Sequence, residues 1–351
     1  METQSKQIDF TGQNFYCGID MHKKTWTVTV HSDEFILKTF SMDPEPGILD
    51  RHLRKHYSGG NFIIGYEAGY FGYGIQREFE SLGISCWVLH PSDIPTTNKD
   101  QEQKRDPRDS RKIAKAIRNN EVSSIWIPPI SIEQDRQLLR TREKLAKDKT
   151  RIKNRIKAFL QMYGITYPET FKNPSTHWSG RFIKWLDSLE LKESTGPESL
   201  RSLIRCLRFQ RGEILLVMRK IRELSRSDRY MKPLSKLIKK PGIALVTAMT
   251  ILTETGDITR FKTVDNFRSF MGIVPRSHDS GDKVRPGKMT KRANSHLRSL
   301  LVEATWMAIR YNPYYLNVYK NYKKRMKENK ALIRTSVKFT NELYYCMKNE
   351  A

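Results

Sequence analysis

The chain has 351 residues, 63 Lys and Arg against 38 Asp and Glu, and a formal net charge of +25. The length exceeds one small core and points to two or three domains. The charge draws polyanions, nucleic acid first and acidic membrane surfaces second; no amphipathic helix carries the bulky apolar face that membrane binding needs.

The polar start METQSKQIDF has no signal-peptide core. The most apolar stretch, 243–252, is far shorter than the roughly 20 residues of a membrane span. The four cysteines are scattered; Cys17 and Cys86 sit in apolar strand-like runs and read as buried, reduced thiols. A cytosolic protein is expected.

Strands are expected at Phe15–Ile19, Trp26–Val30 and Phe35–Phe40, from an apolar run, period-two alternation and the turn Ser32-Asp33. An amphipathic helix with Ile48, Leu49, Leu53 and Tyr57 on one side follows. Then come strand Phe62–Tyr66, helix Phe71–Leu82, strand Ile84–Leu89, helix Asp109–Arg118 and a short strand Ser124–Ile127. The order βββαβαβα is that of an RNase H-like fold, with a generic βαβ domain as the alternative.

From Ser131 the period becomes seven: Leu138, Leu145, Ile152 and Phe159, then Leu200, Leu207, Ile214 and Ile221. These predict two long helices in an antiparallel hairpin or an intermolecular coiled coil, acting as a spacer, a dimerisation arm or a nucleic-acid contact. Near Arg229 a third region begins. LSKLIKKPGIALVTAMTIL reads as helix, Pro241-Gly242 turn, helix, a helix–hairpin–helix-like element whose turn amides can hold a phosphate. A loop rich in Gly, Arg and Lys (272–291), a helix from about Arg292 to Tyr311 and a basic helical tail follow, with NYKKRMKENK as a solvated face.

Four acids sit where strands end or helices begin. Asp20 closes the first strand in YCGIDMHKK, and Glu67 follows FIIGY, positions at which α/β sheets present ligands. Each alone also fits a turn or helix-starting acid. Asp106 and Asp109, three apart, put two carboxylates on one helix face, suited to one or two cations. Asp106-Pro107-Arg108-Asp109 is equally a plain helix start, but the long polar loop TTNKDQEQKR before it is more than a cap requires. Ser280, in PRSHDSGDKVRPGKMTKR, has the composition of a turn, and His278 reads as a surface residue. Around it Arg276, Lys283, Arg285, Lys288, Lys291 and Arg292 supply the charge to hold a phosphate.

GIDMHK, GYEAGYFG, KRDPRDSRKIAKAI and FRSFMGIVPRSHDSG…KMTKRANSHLRSLLVEA together resemble the insertion-sequence transposases with a DEDD acidic tetrad. The resemblance implies a RuvC-like domain (1–129), a helical coiled-coil middle (130–228) and a mostly helical C-terminal transposase domain with a serine loop (229–351). It also implies that Asp20, Glu67, Asp106 and Asp109 bind Mg²⁺, or Mn²⁺ in its place, and that Ser280 becomes joined to a DNA 5′ phosphate. A guide RNA from the element's own end, homodimers assembling to tetramers and a prokaryotic, nucleoid-associated location are implied as well. The turn Pro-Gly-Ile-Ala departs from relatives that carry a second glycine after the isoleucine. Two other readings fit the residues: a RuvC-like junction endonuclease that uses water, and a nucleic-acid-binding protein without chemistry.

Overall fold

The computed structural model describes residues 8–95, 106–280, 283–289 and 294–348. It divides into two compact units, 1–127 and 128–351.

Unit one is built on a five-stranded sheet: β1 (Asn14–Met21), β2 (Trp26–His31), β3 (Ile36–Met42), β4 (Asn61–Glu67) and β5 (Ser85–Leu89). The strand order is β3-β2-β1-β4-β5, with β1, β2 and β3 antiparallel and β1, β4 and β5 parallel. Its described α-helices are α1 (Pro46–His56), α2 (Gly74–Ser81) and α3 (Asp106–Arg118). Alternation along each strand sorts side chains to two faces. Phe15, Cys17, Ile19, Trp26, Val28, Val30, Ile64 and Tyr66 join Leu49 and Leu53 of α1 and Phe79 of α2 in one core. Tyr16 and Ile63, on the other face, pack with Ile113, Ala116 and Ile117 of α3. Cys17, fully buried in the first of these cores, has its thiol pushed up to about 12 by desolvation, which makes it inert.

The α3 face is set by two glycines. Gly18 and Gly65 lie opposite each other across β1 and β4. A Cβ on Gly18 would stand 2.1 Å from the Ser110 carbonyl oxygen and 2.4 Å from the Ala114 nitrogen, both backbone atoms of α3. One on Gly65 would meet Ile117 Cδ1 at 2.3 Å. The absent side chains let the helix lie directly on the strands. Gly18→Ala is therefore expected to push α3 off the sheet and cost about 3 kcal/mol or more, at the upper end of overpacking effects; a urea-unfolding midpoint unchanged from wild type would contradict this close approach.

The strand expected at Ser124–Ile127 is reduced to one bridge, Leu89 to Ser124. Ser124 Oγ takes the Val88 amide at 3.2 Å, the Ile125 amide donates to Val88 O, and Pro128-Pro129 follow, which cannot extend a ladder.

Unit two is helical around α4 (Ile130–Met162) and α6 (Thr195–Leu224), with α5 (Gly180–Asp187) between them in sequence. Ile152, Ile156 and Leu160 of α4 pack with Leu200, Ile204 and Leu207 of α6, while Leu139 shares a core with Ile221. The early part of one helix thus meets the late part of the other, an antiparallel hairpin within one chain. The remaining elements are α7 (Asp228–Leu237), α8 (Leu245–Thr255), α9 (Val264–Met271), β6 (Pro275–Ser280), β7 (Lys283–Met289), α10 (Ser295–Tyr311), α11 (Pro313–Lys323) and α12 (Glu328–Lys348). α8 is buried from Ala248 to Thr255 and forms the centre of this body. The tail is more than a basic appendage: Phe339, Leu343 and Tyr344 of α12 enter the same core, while most of 321–330 is exposed.

The helix–turn–helix around Pro241-Gly242 is present, with Gly242 at φ 82°. A Cβ there would lie 2.2 Å from Ala304 O of α10, so this turn packs against a helix of its own unit.

Candidate active site

Asp20 and Glu67 directly follow Ile19 and Tyr66, the last residues that β1 and β4 pair with each other. Each lies two residues beyond a glycine that faces α3, so alternation places both on the α3 face at one edge of the sheet. The direction of α3 brings the other two acids to that edge. Its last residue, Arg118, donates to Asp33 O, and Tyr16 at the opposite end of β1 donates to Asp33 Oδ1. Ser110, in its first turns, hydrogen-bonds Thr29 at 2.8 Å and overlies Gly18. α3 therefore runs against β1, with Asp106 and Asp109 at the Asp20 end.

Asp20 is half-buried, with Oδ2 3.5 Å from His22 Nε2. Asp109 Oδ1 accepts from Lys112 Nζ at 3.1 Å, and Glu67 is exposed. Tyr70, also exposed, stacks on Phe71 with ring centroids 4.2 Å apart, and Lys23 Nζ lies 5.9 Å from the Tyr70 ring. The edge thus combines carboxylates, a cation and an open aromatic surface. Among the described residues no three His, Cys, Asp or Glu side chains are close enough to hold a metal together. The Asp106 side chain is outside the described set, as is the polar loop 96–105. The donors are hard carboxylate oxygens, and in kind they fit Mg²⁺ or Mn²⁺.

The region read as a loop around Ser280 is a β-hairpin: β6 and β7 pair antiparallel, His278 with Arg285 and Ser280 with Lys283. Ser280 is the last residue of β6 and closes the innermost pair of the hairpin. Arg276, Lys283, Arg285 and Lys288 lie in the two strands, whereas Lys291 and Arg292 fall outside the described residues.

Both roots of the hairpin are tied down by residues that the sequence did not single out. Arg298 Nε donates to Gly272 O at 2.6 Å, linking the segment after the hairpin to the one before it. Glu254 at the end of α8, 3% exposed, takes a two-pronged bond from Arg140 at 2.6 and 2.9 Å. It also accepts from Asn294 Nδ2 at 3.3 Å. Asn294 Oδ1 in turn caps α10 by accepting from the His296 and Leu297 amides. Arg136 donates to the Thr253 and Glu254 carbonyls at the end of α8. An (i, i+4) arginine pair on a long helix is the only trace of this in sequence, and it reads there as a solvated face.

A family model described as a transposase of the DEDD type, DEDD_Tnp_IS110, matches residues 17–165. A second, described as transposase of the IS116/IS110/IS902 family, matches residues 234–320. The transposase for insertion sequence element IS1533 of Leptospira borgpetersenii is 30% identical over 300 residues, 83% of this chain and 84% of that protein. A putative transposase, y4qE, of Sinorhizobium fredii is 28% identical over 254 residues, 71% of this chain. The transposase for insertion sequence element IS1111A of Coxiella burnetii is 26% identical over 239 residues, 67% of this chain. The chain spans 58% of the rhizobial relative's length and 62% of the Coxiella relative's.

These matches define an insertion-sequence transposase with a DEDD-type N-terminal domain. The chain belongs to the IS110 family. A DEDD-type domain implies dependence on a divalent metal. No described helix is long and apolar enough to cross a membrane.

Proposed function

We propose that the chain cuts and rejoins DNA strands to move a mobile element, with a RuvC-like domain holding the cation and Ser280 as nucleophile. What supports this reading is the placement of Asp20 and Glu67 at the ends of β1 and β4 on one sheet edge, with the start of α3, which carries Asp106 and Asp109, at the same end. Asp20, Glu67, Asp106 and Asp109 would hold a divalent cation, which would supply positive charge to the scissile phosphate and its entering and leaving oxygens. Close packing of α3 on Gly18 holds the helix that carries Asp106 and Asp109 against β1.

Ser280 Oγ forms a bond to phosphorus, and the bond from phosphorus to the 3′ oxygen breaks. The serine proton departs, the 3′ oxygen takes up a proton, and the 5′ phosphate stays on the protein. Attack by another 3′ hydroxyl reverses these changes and releases the serine, so joining needs no ATP. Arg276, Lys283, Arg285, Lys288, Lys291 and Arg292 neutralise the phosphate during transfer. In this reading residues 130–228 act as the spacer and 229–351 as the serine-bearing domain. Acid site and serine come from different subunits of a dimer or tetramer, and an element-encoded RNA selects the DNA, because base pairing carries more sequence information than a basic surface.

Incubating the protein, Mg²⁺ and RNA transcribed from the element's end with labelled DNA carrying the element's ends is expected to give a denaturation-resistant protein–DNA adduct. Free nicked DNA with no adduct would instead identify a hydrolytic nuclease that uses water.

A further inference from the structure

Beyond the acid edge and the serine hairpin, the most unusual surface lies where α10 meets α11. Trp306 and Met307 are 44% and 40% exposed, and Tyr311 and Tyr314 are 67% and 58% exposed. Positions 306, 307, 310 and 311 fall on one face of α10 by helical spacing. Trp306, Met307, Ile309 and Arg310 line a shallow groove closed by Leu316 of α11. An apolar patch of this kind on the outside of a protein marks a contact surface.

Its surroundings narrow the partner. Residues 303–328 hold six Lys and Arg against two acids, Glu303 and Glu328. Lys323 is engaged by Glu328, and its Nζ lies 5.9 Å from the Tyr319 ring. Tyr319 in turn packs against Trp306, ring centroids 5.4 Å apart. Exposed rings therefore run directly into a cationic strip. A second copy laid on this face would set cation against cation, whereas a nucleic-acid strand meets both features: flat bases for the rings and phosphates for the ammonium and guanidinium groups. Bases inside a duplex are already stacked, so the fit is to an unpaired strand.

We infer that the Trp306, Arg310, Tyr311 and Tyr314 face is a stacking platform for unpaired bases of a DNA strand, separate from the site of cutting. It rests on the reading of the chain as a DNA-processing enzyme and adds that strands are held open on the helical body.

The test is binding of a fluorescein-labelled oligo(dT) strand and of a duplex of equal length to the full chain, by anisotropy. Trp306→Ala and Tyr311→Ala are each expected to weaken the single strand about tenfold, the size of one lost base–aromatic stack, and to leave duplex binding unchanged. Tyr311 is exposed enough that its variant keeps the fold, so the test survives if Trp306→Ala does not. Unchanged single-strand affinity in Tyr311→Ala overturns the platform, as does equal weakening of the duplex or a clear preference for oligo(U) over oligo(dT). A change of sedimentation state with unaltered DNA binding would assign the face to a second copy and also overturn it. A wild-type chain that binds neither DNA form would sink the functional reading itself, and the platform with it.

Discussion

Ser280→Ala is expected to abolish the covalent protein–DNA adduct completely while leaving DNA binding intact. The substitution removes one oxygen and nothing else. Ser280 contributes to the hairpin through its backbone, paired with Lys283 at the end of β6, and alanine keeps both the N–H and the C=O. The cationic residues of β6 and β7 are untouched, so the phosphate is still attracted. Only the atom proposed to form the new bond to phosphorus is gone. Denaturing electrophoresis of labelled DNA with the variant and Mg²⁺ reads the outcome directly. A persisting adduct would move the nucleophile to another side chain; free nicked product would show water replacing the hydroxyl.

Asp20→Asn is expected to lower strand cleavage by a thousandfold or more without unfolding the protein. The side chains are nearly equal in volume, and β1 remains buried between α1 and α3, so the scaffold survives. What is lost is one negative charge among the acids gathered at the edge. An amide is a far weaker partner for a divalent cation than a carboxylate, and the charge stabilisation that such an ion supplies is worth several kcal/mol, or roughly three powers of ten in rate. Nicking assays over a Mg²⁺ titration, beside thermal melting of both proteins, separate the two effects. Near-normal cleavage at high Mg²⁺ would take Asp20 out of the site. Asp109→Asn is a weaker structural perturbation than the Lys112 pairing suggests, because partly exposed (i, i+3) pairs contribute little.

The strands of unit one were legible because period-two alternation survives wherever one face is apolar, as in β2. The acids were legible as punctuation at strand ends. The shared sheet edge of the elements that carry them was not, since it depends on α3 running against β1, which is fixed by Arg118 at Asp33 and by the closeness of Ser110 to Gly18. Neither contact leaves a periodic trace, and Gly18 in the sequence looks like any turn former. The β6–β7 hairpin was read as a loop because Arg, Lys, Gly and Pro hide alternation. A signal was nevertheless present: the two residues between the strands are Gly281-Asp282, a pair typical of tight hairpins. The apolar face of α12 was concealed in the same way, behind the basic residues that precede it.

The carboxylate of Glu254, shut away from water beneath Arg140 and Asn294, bears on how this molecule behaves in strong electrolyte. At about 1 M salt the Debye length is near 3 Å, short enough to strip polyanions from a surface of charge +25, while the buried contact of Glu254 with Arg136, 3.6 Å apart, is scarcely screened. Brine that clears the exterior of nucleic acid therefore leaves this anchorage at the root of the serine hairpin in place when the polypeptide returns to low ionic strength.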